Sequence, residues 1–260
     1  MARPLRVSFA GGVFHITSRG NNREKIFLDE KDFLRYKALL RRYRAKFEFK
    51  LYAYCLMPNH VHLLIETSTS GSISKIMHAI NTAYAMYFNS KYDHVGHVFQ
   101  GRFYSSIIDT EHYLLEVMRY MDLNPVRAEI VKRPEEYEWT SYRRCGEGRR
   151  DDLVDSHELY ENLGEQDRDR QREYREFVKE RMEGGPGLWQ PAYAYSIFIG
   201  GEDFVSRLTE LYGQQIWPKY RRLLDQLHEL RAAALVESVS YTHLRAHETR
   251  HDLVCRLLLE

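Results

Sequence analysis

Three observations on this 260-residue chain predict an α+β fold. Short segments alternate apolar and polar residues with the period of two that a strand requires. Longer segments between them repeat apolar residues at the three-to-four spacing of a helix. The two kinds succeed one another in the order β-α-β-β-α-β, with a further helix behind. A hydrophobic content of 43% over this length suffices for one sizeable core and a smaller appendage.

The first element is a strand: Gly12-Val-Phe-His-Ile-Thr-Ser18 alternates and is rich in β-formers, and Arg19-Gly-Asn-Asn-Arg23 breaks it into a loop. Asp29 can cap the next helix with Asp32 at its third position, and Phe33, Tyr36, Leu39, Leu40 and Tyr43 recur at helical spacing to about Lys46. Residues 47–54 alternate over their first half; after Met57-Pro58-Asn59 a second strand over 60–66 should pair with them as a hairpin. Residues 72–92 carry Ile73, Ile76, Met77, Ile80, Tyr84 and Tyr87 on one helical face. A short strand over 103–108 leads to a helix over 110–123, stopped by Asn124-Pro125. This is the succession of the split βαβ in ferredoxin-like folds, so a four-stranded antiparallel sheet with helices on one face is expected, followed by a helical C-terminal extension.

Residues 1–148 are read as one domain, 149–190 as a charged linker or helix, and 191–238 as a partial helical region. No run of about 18 apolar residues occurs and the start lacks a signal-peptide pattern, so a cytoplasmic protein without a membrane segment is expected. The three cysteines, Cys55, Cys145 and Cys255, are far apart and odd in number, which speaks for reduced thiols. The net charge of +1 hides an asymmetry: residues 1–50 hold 13 Lys/Arg against 5 Asp/Glu. The densest run, containing Arg41, Arg42 and Arg44, suits a polyanion or a solvated helix face.

Three groups of residues carry candidate chemistry. His60 and His62 sit at i and i+2 of a strand, so both imidazoles project to one face and could hold one divalent cation, although two surface histidines would read the same. Tyr120 and Asn124 are one helical turn apart, so a phenol and a carboxamide share a face, and the metal that polarises a phosphate could also take the amide oxygen. A polar and basic set comprises His15, Arg19, Asn21, Asn22, Arg23, Gln100, Arg102 and Arg127; arginine forks match phosphate geometry.

Taken together, Tyr54-Cys-Leu-Met-Pro-Asn-His-Val-His-Leu-Leu64, the upstream Arg19-Gly-Asn-Asn-Arg23, and the downstream Phe99-Gln-Gly-Arg-Phe103 and Tyr120-Met-Asp-Leu-Asn-Pro-Val-Arg-Ala128 resemble the REP-associated tyrosine transposases, within the single-tyrosine HUH group. The likeness runs over about residues 3–145, which makes 1–148 the expected catalytic domain. It implies that His60 and His62 are metal ligands, that Asn124 completes the site where relatives often carry Gln, and that Tyr120 is the nucleophile. The implied cofactor is Mg2+ or Mn2+, with imidazoles favouring the softer ion. The implied reaction cleaves and rejoins single-stranded or hairpin DNA through a 5′-phosphotyrosine link, by a monomer or a homodimer. The basic set, with Arg41, Arg42 and Arg44, would grip the DNA. Longer members carry a helix-turn-helix-like region, of which 191–238 would be a truncated part. Residues 239–260 resemble a sequencing adapter translated in frame, which would disqualify His243, His247, His251 and Cys255 as a metal cluster. Two other readings are a non-catalytic nucleic-acid-binding module and a phosphodiesterase that uses water as nucleophile.

Overall fold

The computed structural model describes residues 7–69, 72–183 and 197–216. The element order is β1 (Val13–Arg19), α1 (Glu30–Phe47), β2 (Lys50–Met57), β3 (His60–Glu66), α2 (Ile73–Tyr92), β4 (Tyr104–Ile108) and α3 (Thr110–Asp122). Short helices α4 (Asn124–Arg127), α5 (Tyr142–Cys145) and α6 (Glu158–Glu161) come next, then α7 (Asp167–Glu183), β5 (Phe198–Ile199) and α8 (Glu202–Ile216). The chain divides into two units, and the one spanning 8–191 and 197–200 holds every element except α8. The rest of the expected helical region, and all of 239–260, lie outside the described residues.

The sheet has five strands in the order β2-β3-β1-β4-β5, where four were expected. β1 lies in the middle, antiparallel to β3 and to β4, and β2 pairs antiparallel with β3. The extra strand, β5, runs parallel to β4 through Ile107 and Ile108. Two residues contributed from far along the chain leave no periodicity to read.

The α1 start arises from its sequence. Asp29 accepts from the Asp32 amide and the Asp32 carboxylate accepts from the Asp29 amide, a reciprocal cap. Asp32 also takes Lys91 Nζ and the Tyr87 and Tyr92 hydroxyls, which ties the start of α1 to the end of α2. Both helices cover the sheet face made by Phe14, Ile16, Val61 and Leu63: Lys37 of α1 donates to Tyr54, and Asn81 of α2 donates to Ser18. Burying each of these large apolar side chains stabilises the fold by about 1.5–3 kcal/mol.

α3 covers the other face, so helices lie on both sides, not on one as expected. Thr17 and His62 alternate away from Ser18 and Val61, and the Tyr120 ring of α3 meets His62. α3 ends where Pro125 has no N–H to continue the ladder. Beside that break the Asn124 side chain donates to the Tyr120 carbonyl at 2.9 Å.

Candidate active site

In antiparallel register Thr17 lies opposite His62 and Arg19 opposite His60, so His15, Thr17, Arg19, His60 and His62 share one sheet face. His15 Nε2 and His62 Nδ1 share a hydrogen bond at 2.9 Å, with Thr17 Oγ1 3.3 Å from the same nitrogen. His60 Nδ1 donates to Asn59 Oδ1 at 2.6 Å, and Asn59 Nδ2 donates to the Arg23 carbonyl at 3.2 Å. His60 donates through Nδ1, which leaves its Nε2 to carry the lone pair that ligation requires; His62 shares its Nδ1 with His15 and Thr17, and donating from that nitrogen would leave its Nε2 in the same state. Their rings lie edge to face with centroids 4.9 Å apart.

Burial pushes the His15 imidazole down to about 4. Burial, and then the positive charge of Arg19, brings His60 to about 4. His62 is driven well below the ordinary range by burial first, then by His60, His15, Arg127 and Arg19. All three are neutral at pH 7, so their lone pairs are not spent on protons.

Tyr120 faces this group from α3. Its ring meets His62 at 5.8 Å and His15 at 6.0 Å, nearly perpendicular to both, and the Arg127 guanidinium carbon lies 4.9 Å from its centroid. One chain thus supplies both the phenol and the histidine pair. Asn124 is buried and tied to the Tyr120 carbonyl through Nδ2, so Oδ1 is the atom it has to offer a metal.

The loop residues gather at the His60 end of the sheet. The Gly20 amide donates to the Asn59 carbonyl at 2.8 Å, the Asn21 amide to the Val98 carbonyl at 2.9 Å, and the Gln100 amide to the Arg19 carbonyl at 2.8 Å. Asn22 and Arg23 both adopt left-handed backbone angles, with φ of 51° and 64°, a strain that concentrates at functional loops. Arg19, Asn22, Arg23, Gln100 and Arg102 are exposed.

The run around Arg41 is not part of this gathering. α1 lies across the sheet, and its positions 37, 41 and 44 form one stripe answered by acids of the 151–155 segment. Lys37 pairs with Asp151 at 3.1 Å, Arg41 makes a two-pronged contact with Asp152 at 2.8 Å, and Arg44 pairs with Asp155. Arg42 is exposed on the same helix, over the Tyr43 ring. Charge density along the chain displays the basic residues without the acids that fold onto them.

By chemical type, His60, His62 and Asn124 could donate to a divalent cation. His60 and His62 offer two neutral imidazole nitrogens and Asn124 an amide oxygen, a set that suits manganese better than magnesium. Among the described residues no three His, Cys, Asp or Glu side chains converge as a metal group; His15 occupies the Nδ1 side of His62, the wrong side to share an ion. Positions would remain for water and a substrate oxygen.

Residues 9–124 match the family model described as transposase IS200 like. Over that stretch, a little under half of its length, the chain is similar to the IS200-like transposases. No described helix is long and apolar enough to cross a membrane. Similar solved structures include a REP-associated tyrosine transposase bound to a REP hairpin, 20% identical over 60% of this chain and 95% of that one, with a TM-score of 0.48. Another is a protein assigned as a transposase from Deinococcus radiodurans R1, 20% identical over 47% of this chain and 95% of that one, with a TM-score of 0.34. No curated protein matches significantly.

The transposase family match stops at Asn124, yet the segment behind it holds the tyrosine helix. Asp122 accepts from the Tyr174 hydroxyl of α7 at 2.6 Å and from Thr140 at 2.8 Å. Arg119 donates to the Phe177 carbonyl at 2.9 Å, with its guanidinium carbon 3.8 Å from the Phe177 ring. Residues 119 and 122 flank Tyr120, so α7, within the segment read as a charged linker or helix, packs against the helix that carries this tyrosine. Sequence reasoning missed Asn59 and Thr17 as partners of the histidines; Asn59 lies in the Met57-Pro58-Asn59 segment between the two strands, where no periodicity marks its side chain.

Proposed function

We propose that this domain is that of a transposase and cleaves and rejoins single-stranded DNA at hairpin-bearing sites, with Tyr120 as nucleophile and His60, His62 and Asn124 holding Mg2+ or Mn2+. The observation that carries this reading is the Tyr120 ring against His62 within one chain, 5.8 Å between centroids. A nucleophile and a ligand pair that belong to one reaction must meet around one phosphate, and the contact of the Tyr120 ring with His62 supports that reading.

The Tyr120 oxygen attacks phosphorus and the bond to the 3′ oxygen breaks. The phenol gives up its proton, the leaving oxygen gains one, and a 5′-phosphotyrosine and a free 3′-hydroxyl result. Attack by a 3′-hydroxyl on the tyrosine ester reverses these steps and joins ends, so no nucleotide is consumed. A bound divalent ion would polarise the phosphoryl oxygens and orient the bond under attack. His15, Thr17 and Asn59 fix the imidazoles, and Asn124 links the ligand set to the Tyr120 turn. Arg19, Asn21, Asn22, Arg23, Gln100 and Arg102 form the DNA-facing loop at the open end of the site.

The test is trapping. The protein is incubated with a labelled single-stranded hairpin oligonucleotide and Mn2+, then denatured. Wild type should give a protein–DNA adduct, and Tyr120→Phe and His60→Ala should not. Tight binding with no adduct across hairpins from the gene's own flanks would replace this reading with a binding module. Strand cleavage that persists in Tyr120→Phe would assign water as the nucleophile.

A further inference from the structure

Arg127 is a cation without an answering charge. Among the described residues it makes no ion pair and no hydrogen bond, and its Nη1 is sealed from solvent without an acceptor. Its guanidinium instead lies over the Tyr120 ring, 4.9 Å from carbon to centroid. Leaving a buried cationic donor unmatched costs free energy, and native structures keep few such groups. The arginines of the early basic run that meet the rest of the fold have, by contrast, found acids: Arg41 has Asp152 and Arg44 has Asp155.

Resting on the strand-cleavage reading, we propose that Arg127 is the seat for the scissile phosphate. The residue is only part-buried, so one edge of the guanidinium stays open. Its charge is delocalised over three nitrogens, and an anion on the open edge offsets the cost of the sealed one. Arg127 and Tyr120 are seven residues apart across the Pro125 break, so the turn α4 sets the cation and the phenol over one another. A phosphodiester on the open edge of the guanidinium, beside the Tyr120 hydroxyl, would present its phosphorus to the Tyr120 oxygen and its non-bridging oxygens to the guanidinium. Those oxygens gain negative charge as the phenol attacks, and the cation answers it there. Arg127 lies beyond the matched family region, which ends at residue 124, so the seat is built by the segment C-terminal to the matched core.

The experiment separates this seat from general attraction to DNA. The cleaved linkage is first located from the wild-type adduct; if no adduct forms, the strand-cleavage reading itself fails. Binding is then measured in the Tyr120→Phe background, without metal and without chemistry, using oligonucleotides that carry one uncharged methylphosphonate. With Arg127 present, the neutral group at the cleaved linkage should weaken binding about tenfold, and one placed a few linkages away should not. In Arg127→Gln the two oligonucleotides should bind alike, and adduct formation in the Tyr120-containing protein should fall about 100-fold or more. Arg127→Lys should recover part of both. Because the discrimination is a ratio within one preparation, a loss of folded protein does not imitate it. If Arg127→Gln keeps the discrimination, or if the neutral linkage costs as much at every position, Arg127 only packs on the ring and the seat is lost.

Discussion

Two groups of arginines sit on opposite faces of the same sheet, and they behave in opposite ways. On the α1 side, Arg41 and Arg44 belong to the densest basic run of the chain, and both are matched by carboxylates of the 151–155 segment. On the α3 side, Arg127 stands isolated in sequence and has no acid partner among the described residues, while Arg19 is exposed beside the histidines. Charge density along the chain therefore picks out a face where two of the arginines are already paired. What binds a polyanion is charge left uncompensated after folding, and the isolated arginines are the ones that keep it.

The comparison is broken most severely from the histidine side. His62→Ala should lower adduct formation about a thousandfold, since a bound cation supplies several kcal/mol of charge stabilisation and each 1.36 kcal/mol is tenfold. His60→Ala should match it. Asn59→Ala and His15→Phe should each cost about 10–100-fold, because they loosen the rings without removing a ligand. The check is Mn2+ binding followed by electron paramagnetic resonance beside the adduct assay; unchanged Mn2+ affinity in His62→Ala would remove the metal from this face.

A second break lies behind the tyrosine. Tyr174→Phe deletes the hydroxyl that donates to buried Asp122 and should destabilise the domain by about 1–3 kcal/mol in denaturant unfolding. If α7 positions Tyr120, adduct formation should fall further than the loss of folded protein accounts for, with hairpin affinity little changed. An equal fall in both would make α7 a stabilising helix with no influence on the phenol.

Sharper discrimination between the two faces comes from salt. Arg19→Ala should reduce the slope of log affinity against log salt by about one, the signature of one lost phosphate contact. Arg41→Ala should leave that slope unchanged. The reverse pattern would move the DNA to the α1 face.

What was legible in the sequence was local. The Asp29 cap, the alternation of β1 and β3, and the Pro125 break each depend on a few adjacent residues, and each took its expected place. His60 and His62 share a face because a strand has a period of two, which needs no tertiary knowledge. What was not legible depended on pairing at a distance. β5 joins the sheet with two residues, and Asp152 reaches Arg41 across 111 positions. The side of the sheet that α3 takes, and with it the meeting of Tyr120 and His62, is set by packing rather than periodicity. His15 was visible as a polar residue on a strand, but only the β1–β3 register shows that it holds His62.

The smallest effect tests the matched pair itself. Arg41 draws the Asp152 carboxyl down to about 2 through its hydrogen bonds and charge. A carboxylate held below its unfolded value stabilises the fold above about pH 4, and that contribution is lost as pH falls through about 2. Both side chains are largely exposed, 45% and 59%, so solvent screening limits the pair to less than about 1 kcal/mol. Asp152→Asn should therefore shift thermal stability slightly at pH 7, and the shift should shrink as pH falls from about 4 toward 2. The same substitution frees Arg41 on the α1 face. If hairpin affinity then rises at low salt while cleavage stays constant, the acid was what kept that face from competing for DNA, and the contrast between the two faces is a property of pairing rather than of position.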